Sequence, residues 1–357
     1  MFSCLSRFFR KTTIGNEDTS GQCQPNLQNM PTVVMEEVLK NLNAKSIFCL
    51  RKVCRNLRST IDRIEPKLHV TSLSFEPPIT EKSIELRVKN MSKSERKSTL
   101  NWLKPRTGCE IKWEFEGKTR SSNTSMKDAD TLLKNTNIIL DELKINFLSE
   151  PSYAMDRDCK YSNEKTLKSI FENRGHLLET KEVVFRVHNL LQAAEFLKRI
   201  DPKSLKSISI ATSDRDYSEL ENLEQWKNAD ALKTGGYNIL DCFNYFTSFK
   251  SVFIEVFQFR IEKLNEVKEL FIRSPKMETF TIKFADYDIR TTPLYISYFN
   301  HMVSPNEEPV NNPVHLFGSR EKPRTWTWVM DVPDSTQQLQ ITLTIDCFTH
   351  NITFLKT

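Results

Sequence analysis

Six histidines are the first residues to test for chemistry: His69, His176, His188, His301, His315 and His350. No two stand at i, i+4, and none lies beside a paired cysteine, so the spacing writes no metal cage. Eight cysteines stand at 4, 23, 49, 54, 109, 159, 242 and 347 and form no C-x-x-C. Irregular spacing of this kind in a long chain reads as reduced, intracellular thiol. Cys49 and Cys54 have apolar neighbours, and packing accounts for them. A serine nucleophile would need a G-x-S-x-G elbow, and none is present. Only 8 of 357 residues are glycine, so neither G-x-G-x-x-G nor G-x-x-x-x-G-K-[ST] can be written. Without those glycines the backbone has no phosphate cradle. Carboxylates are abundant but scattered over solvated faces. The chain reads as a non-enzyme with no cofactor and no metal.

Composition leaves a binding function as the remaining class. Charged residues make up 27% and hydrophobic residues 38%, with 51 basic against 46 acidic side chains and a net charge of +5. The charges interleave rather than cluster, which argues against a dedicated nucleic-acid face. The polar, basic stretches 89–108 and 117–130 read as surface loops and keep a nucleic-acid-binding alternative open, which predicts steep salt dependence. Basic residues beside aromatics occur at Lys112-Trp113 and at Arg324-Thr325-Trp326-Thr327-Trp328. Trp113 alternates with Ile111 and Phe115, as a core residue does. Trp326 and Trp328 share one strand face, and the pattern leaves open whether that face is core or contact surface. No window approaches 18 consecutive apolar residues, so no membrane span is expected. The opening MFSCLSRFFRK is too interrupted for a signal-peptide core; a mitochondrial presequence or a membrane-surface segment is the alternative to the favoured reading of residues 1–28 as a disordered polar tail.

Two kinds of periodicity follow that tail. In residues 30–65, Pro31 is placed to open a helix, and Val34, Met35, Val38, Leu39 and Leu42 recur at helical spacing. Asn43 can cap a second helix carrying Ile47, Leu50, Val53 and Cys54. A third helix carries Leu57 and Ile61 and must stop near Glu65, because Pro66 disfavours helical geometry in the residue before it. From residue 70 onward the period falls to two. Strands are predicted at 73–75, 111–115, 143–147, 183–187, 208–210, 252–259, 280–284 and 341–345. Helical stripes at Leu190, Ala193, Ala194, Leu197 and Ile200, and at Leu264, Val267, Leu270 and Phe271, separate some of them. Strand starts at 143, 183, 208, 252 and 280 lie 40, 25, 44 and 28 residues apart. The short intervals suit one strand-plus-helix repeat; the long ones suit an insertion or two degenerate repeats. The Pro-rich stretch 303–324 is expected to be a loop.

Size then constrains the helical segment. A chain below about 40 residues rarely encloses a core of its own. Residues 30–65 are nevertheless apolar on more than one face, so one face needs a partner outside the segment or must close onto the array that follows. Pro31 preceded by Met30 would serve as a rigid apolar anchor of the helix-in-groove kind.

These residues resemble an F-box. Met30-Pro31 stands where the family pattern has Leu-Pro, the aliphatic helix runs Val34…Val38-Leu39…Leu42, and Arg51-Lys52-Val53-Cys54-Arg55-Asn56-Leu57-Arg58 closes the motif. Met for Leu at 30 is a volume-similar exchange. The remainder resembles the FTH domain that follows F-boxes in a large family of nematode proteins. Ile111-Lys112-Trp113, Leu205-Lys206-Ser207-Ile208, Leu223 to Ala229 and Leu339 to Ile345 carry that likeness. The expected fold class is therefore α+β: an F-box of three helices at 29–68, then an irregular leucine-rich-repeat-like α/β array of FTH type at 69–357.

The resemblance implies a substrate-recognition adaptor of a Skp1-cullin-F-box ubiquitin ligase. The F-box would dock on a Skp1-type adaptor and through it on a cullin, with the ubiquitin chemistry performed elsewhere. The chain would raise the local concentration of an unknown protein target near the transferring enzyme, in the cytoplasm or nucleus. Met30, Pro31, Val34, Leu42, Leu50 and Val53 are then expected to touch the adaptor or to shape the surface that does; helix phase does not separate the two roles. The strand face of the array is the expected place for the target. A scaffold that uses the F-box only as a docking handle, without ubiquitin transfer, is the remaining alternative.

Overall fold

The computed structural model of the chain describes residues 30–42, 44–76, 85–90, 98–103, 109–115, 118–124, 133–135, 137–148, 167–235, 241–257, 259–285, 295–299, 324–332, 335–345 and 349–357. The tail 1–28, the cap assigned to Asn43 and the loop body 303–323 lie outside the described residues. The chain divides into two compact units, one ending at Pro66 and the other running from Lys67 to Thr357 and including Asn43–Lys45.

The first unit is helical. Helix α1 (Thr32–Lys40) begins after Pro31, whose carbonyl accepts from the Met35 N–H at 3.1 Å. Met35 and Leu39, one turn apart, are its buried pair, as the i, i+4 geometry of a helix face requires. Helix α2 (Ala44–Arg51) buries Ile47. Helix α3 (Arg55–Ile64) buries Leu57 and Ile61 and carries charge elsewhere. It ends at Glu65, whose φ of 45° is left-handed. Helical geometry is thus abandoned at the residue before Pro66, for the steric reason that the sequence supplies.

The second unit is built on one fourteen-stranded sheet, ordered β12-β13-β14-β11-β10-β9-β8-β7-β6-β1-β2-β3-β4-β5. Its centre is parallel: β1 (Leu68–Glu76), β6 (Ile138–Asn146), β7 (Glu179–Arg186), β8 (Ser207–Ala211), β9 (Ala231–Gly235), β10 (Ser251–Val256) and β11 (Thr279–Phe284). From β6 to β11 each strand lies beside its successor in sequence. An antiparallel group, β12 (Arg324–Asp331), β13 (Gln338–Ile345) and β14 (His350–Lys356), closes one side. The antiparallel meander β2 (Glu85–Asn90), β3 (Ser98–Leu103), β4 (Cys109–Phe115) and β5 (Lys118–Thr124) extends the other. The architecture is α+β.

Two sequence expectations need correction. Ser98–Leu103 and Lys118–Thr124 are strands inside stretches read as surface loops. Their pairing comes from backbone hydrogen bonds within the meander, which a polar sequence such as KTRSSNT does not advertise. The 44-residue interval between the strands at 208 and 252 also holds β9, whose Leu232 pairs with Ile208 on one side and Val252 on the other. Its alternation is broken because the inward residue after Leu232 is Thr234, a polar side chain.

Helices cover one face of this sheet. Helix α4 (Leu190–Leu197) buries Leu190, Ala193, Ala194, Phe196 and Leu197. Its Phe196 packs edge-on against Phe171, which in turn meets Phe75 of β1. Beyond the short helices α5 (Ser218–Glu221) and α6 (Glu224–Asn228), helix α7 (Lys263–Arg273) sets Phe271 against Phe354 of β14. Trp326 and Trp328 lie on this covered side, in register with Leu343 and the buried Ile341, and Trp328 stacks on Phe299 at 4.8 Å. The question left open for that pair is resolved toward packing.

Candidate functional site: an apolar helical surface and an open sheet face

Among the described residues of the first unit, the aliphatic side chains Met35, Leu39, Ile47, Leu57 and Ile61 are buried. Arg51 is 6% exposed and makes a two-pronged ion pair with Asp62, Nε to Oδ1 at 2.7 Å and Nη2 to Oδ2 at 3.1 Å. The pair ties the last residue of α2 to α3, and the planar guanidinium suits such bidentate contact. Arg58 Nε donates to the Arg51 carbonyl at 3.1 Å, on the same junction. Cys54 is the N-cap of α3: its Sγ accepts from the Leu57 N–H at 3.4 Å, one of the N–H groups a helix start leaves unpaired. The thiol read as a packing residue therefore also has a capping role.

The six residues singled out from sequence divide by exposure. Pro31 is exposed, Val34 is 43% exposed and Val53 is 54% exposed. Met30, Leu42 and Leu50 are half-buried. Val33, which sequence reasoning passed over, is 75% exposed. Its signal was present in the Val33-Val34 doublet, which cannot lie wholly on the stripe of Met35 and Leu39. Leaving a valine in water forgoes roughly 1.5 kcal/mol of possible burial, and three stand in this small unit.

In the second unit the side of the sheet opposite the helices carries three register rows. One runs Glu142, Glu182, Ser207, Ala231, Ser251 and Thr279; the next runs Lys144, Val184, Ser209, Lys233, Phe253 and Thr281; the third runs Asn146, Arg186, Ala211, Gly235, Glu255 and Lys283. All are half-buried or exposed, whereas their inward neighbours are mostly buried. Lys144 pairs with Glu142 at 2.8 Å, and Lys283 with Glu255 at 2.9 Å. Glu182 sits beside this cluster; its burial, and then the neighbouring Glu142 charge, raise its pKa, against the pull of Lys144 and Lys233. Lys233 lies 5.3 Å over the Phe253 ring. Among the described residues no group of three or more His, Cys, Asp or Glu is placed to hold a metal ion.

Comparison with known proteins agrees with this division. Residues 27–69 match the F-box domain family and residues 162–294 match the FTH domain family. The chain is similar to F-box A protein 224 of Caenorhabditis elegans, 24% identical over 214 residues, which covers 56% of this chain and 51% of that protein. It is also similar to F-box A protein 155 of the same organism, 25% identical over 206 residues, covering 54% of this chain and 48% of that protein. The chain thus spans about half the length of the curated relatives it matches. No solved structure matches it significantly. The three helices between Thr32 and Ile64 fall inside the residues that match the F-box family, and the parallel run from β7 to β11 falls inside those that match the FTH family.

Proposed function

We propose that this protein is the substrate-recognition adaptor of a Skp1-cullin-F-box ubiquitin ligase. The F-box of three helices, assigned to 29–68, docks on a Skp1-type adaptor and through it on a cullin. The region 69–357, an irregular array of leucine-rich-repeat type, holds a protein target. It contributes position rather than bond chemistry, raising the local concentration of target lysines at a distant transferring enzyme. The cytoplasm or nucleus is its place of action.

One observation carries the reading. Within the family-matched helical unit, Pro31, Val33, Val34 and Val53 are exposed although Met35, Leu39, Ile47, Leu57 and Ile61 form a buried set. Apolar side chains that a small unit leaves in water mark a contact surface, and anchors near a helix start suit insertion into a groove. Met30, Leu42 and Leu50, half-buried at its margin, shape the surface or touch the adaptor. Co-purification of the full chain with a Skp1-type adaptor tests this. Wild-type protein retains the adaptor, and Pro31→Asp with Val34→Asp loses it while circular dichroism stays unchanged. No association of the wild type, or undiminished association of the folded variant, would remove the proposal.

A further inference from the structure

We propose that the open face of the sheet takes an acidic segment of a protein target, laid in the trough over β8 and β9, with Arg186 and Lys233 receiving its carboxylates. This inference rests on the reading of the second unit as the target-binding part. The outward residues of β8 and β9 are Ser207, Ser209, Ala211, Ala231, Lys233 and Gly235, so apart from Lys233, which leans over Phe253, two adjacent strands carry only small side chains. Val184 and Arg186 stand on one flank, Phe253 and Glu255 on the other. A main chain can therefore approach the sheet between two walls.

Charge selects the occupant. On this face Lys144 and Lys283 already hold carboxylates of their own. Arg186 and Lys233 are exposed, and among the described residues neither is in a direct ion pair, Lys233 acting on Glu182 only at longer range. They lie two strands and two residues apart, about 12 Å at the usual strand spacings, so their long side chains can converge on one carboxylate or take two. The Phe253 face beneath Lys233 gives an apolar neighbour to the same segment. A nucleic-acid backbone is the wrong polyanion here: Glu142, Glu182 and Glu255 share the face and would repel successive phosphates, whereas binding to nucleic acid needs several phosphates neutralised together. A protein segment with one or two acidic side chains avoids those carboxylates.

The test uses the full chain against a display library of random short peptides, followed by fluorescence anisotropy with the selected peptides. Selection of sequences pairing Asp or Glu with an apolar residue is expected. Arg186→Glu with Lys233→Glu should weaken those peptides at least about tenfold and turn selection toward Lys and Arg. Ala211→Trp, which fills the trough without touching the charges, should weaken them comparably, while Arg186→Lys retains part of the affinity. Selection of uncharged or basic sequences by the wild type, no selection, or equal binding by the charge-reversed variant overturns the inference. So does a single-stranded oligonucleotide that displaces the peptide from Arg186 and Lys233. Adaptor capture by the same charge-reversed protein, measured in parallel, should be unchanged. Loss of capture in the wild type with peptide binding intact would instead count against the ligase reading alone.

Discussion

At residue scale the helical unit depends on a few polar contacts whose removal can be measured. Sulfur is a weak acceptor, so Cys54 is a poorer cap for the Leu57 N–H than a hydroxyl oxygen would be. Cys54→Ser should leave stability equal or slightly higher, and Cys54→Ala should cost about 1 kcal/mol, read from denaturant midpoints. Asp62→Ala should cost more, about 2 kcal/mol, because it leaves the buried Arg51 guanidinium without its carboxylate. Smaller loss in the double variant Arg51→Met, Asp62→Ala than in Asp62→Ala alone would show that the two side chains are coupled. None of this was visible in the sequence beyond the presence of Arg51 and Cys54 in one motif. An ion pair between residues on different helices requires a third dimension that periodicity does not supply. Glu65 was legible in part: Pro66 disfavours the helix there, but the left-handed turn at φ 45° is a feature of the folded structure.

Elements are where the sequence was most and least readable. Strands at 143, 183, 208, 252 and 280 follow from strict alternation, because one face must be apolar wherever helices cover it. Strand β9 escaped because its inward position Thr234 is polar. The structure answers with Tyr217, whose hydroxyl lies 2.9 Å from Thr234 Oγ1, both buried. Burial pushes the Tyr217 phenol well above its ordinary pKa, so it remains a neutral partner. Thr234→Val alone should cost on the order of 1–2 kcal/mol by stranding the Tyr217 hydroxyl. Adding Tyr217→Phe should recover part of that loss in a double-mutant cycle; strictly additive losses would refute the coupling. A row of alternating charges also crosses the strand starts. Asp141 meets Lys181 at 2.8 Å and His69 at 3.2 Å, and Asp230 meets Lys250 at 3.1 Å. The Lys250 hydrogen bond, against slight desolvation, lowers the Asp230 pKa. At Asp141 burial alone would raise the value, and the Lys181 and His69 contacts outweigh it. Both carboxyls should titrate below 3.8 in NMR, and Lys250→Met should move Asp230 upward. Their folded values are depressed, so the stabilisation is complete above the unfolded value and is lost as pH falls through the folded one.

For the whole molecule the structure has two compact units: a small helical one with valines in water, and a large sheet whose described residues have one helix-covered face and one without helices. Helical periodicity in residues 30–65 could not rank the apolar residues by exposure. The structure does so, placing Pro31, Val33, Val34 and Val53 outward and Met35 and Leu39 inward. On the proposed function, this outward set docks the adaptor. Isothermal titration of the full chain with a purified Skp1-type adaptor tests it most directly. Saturable one-to-one binding is expected, with Val33→Asp plus Val34→Asp weakening it at least tenfold, a loss of about 1.4 kcal/mol or more, at unchanged thermal stability. Absence of binding by the wild type, or equal affinity for the folded double variant, would contradict it.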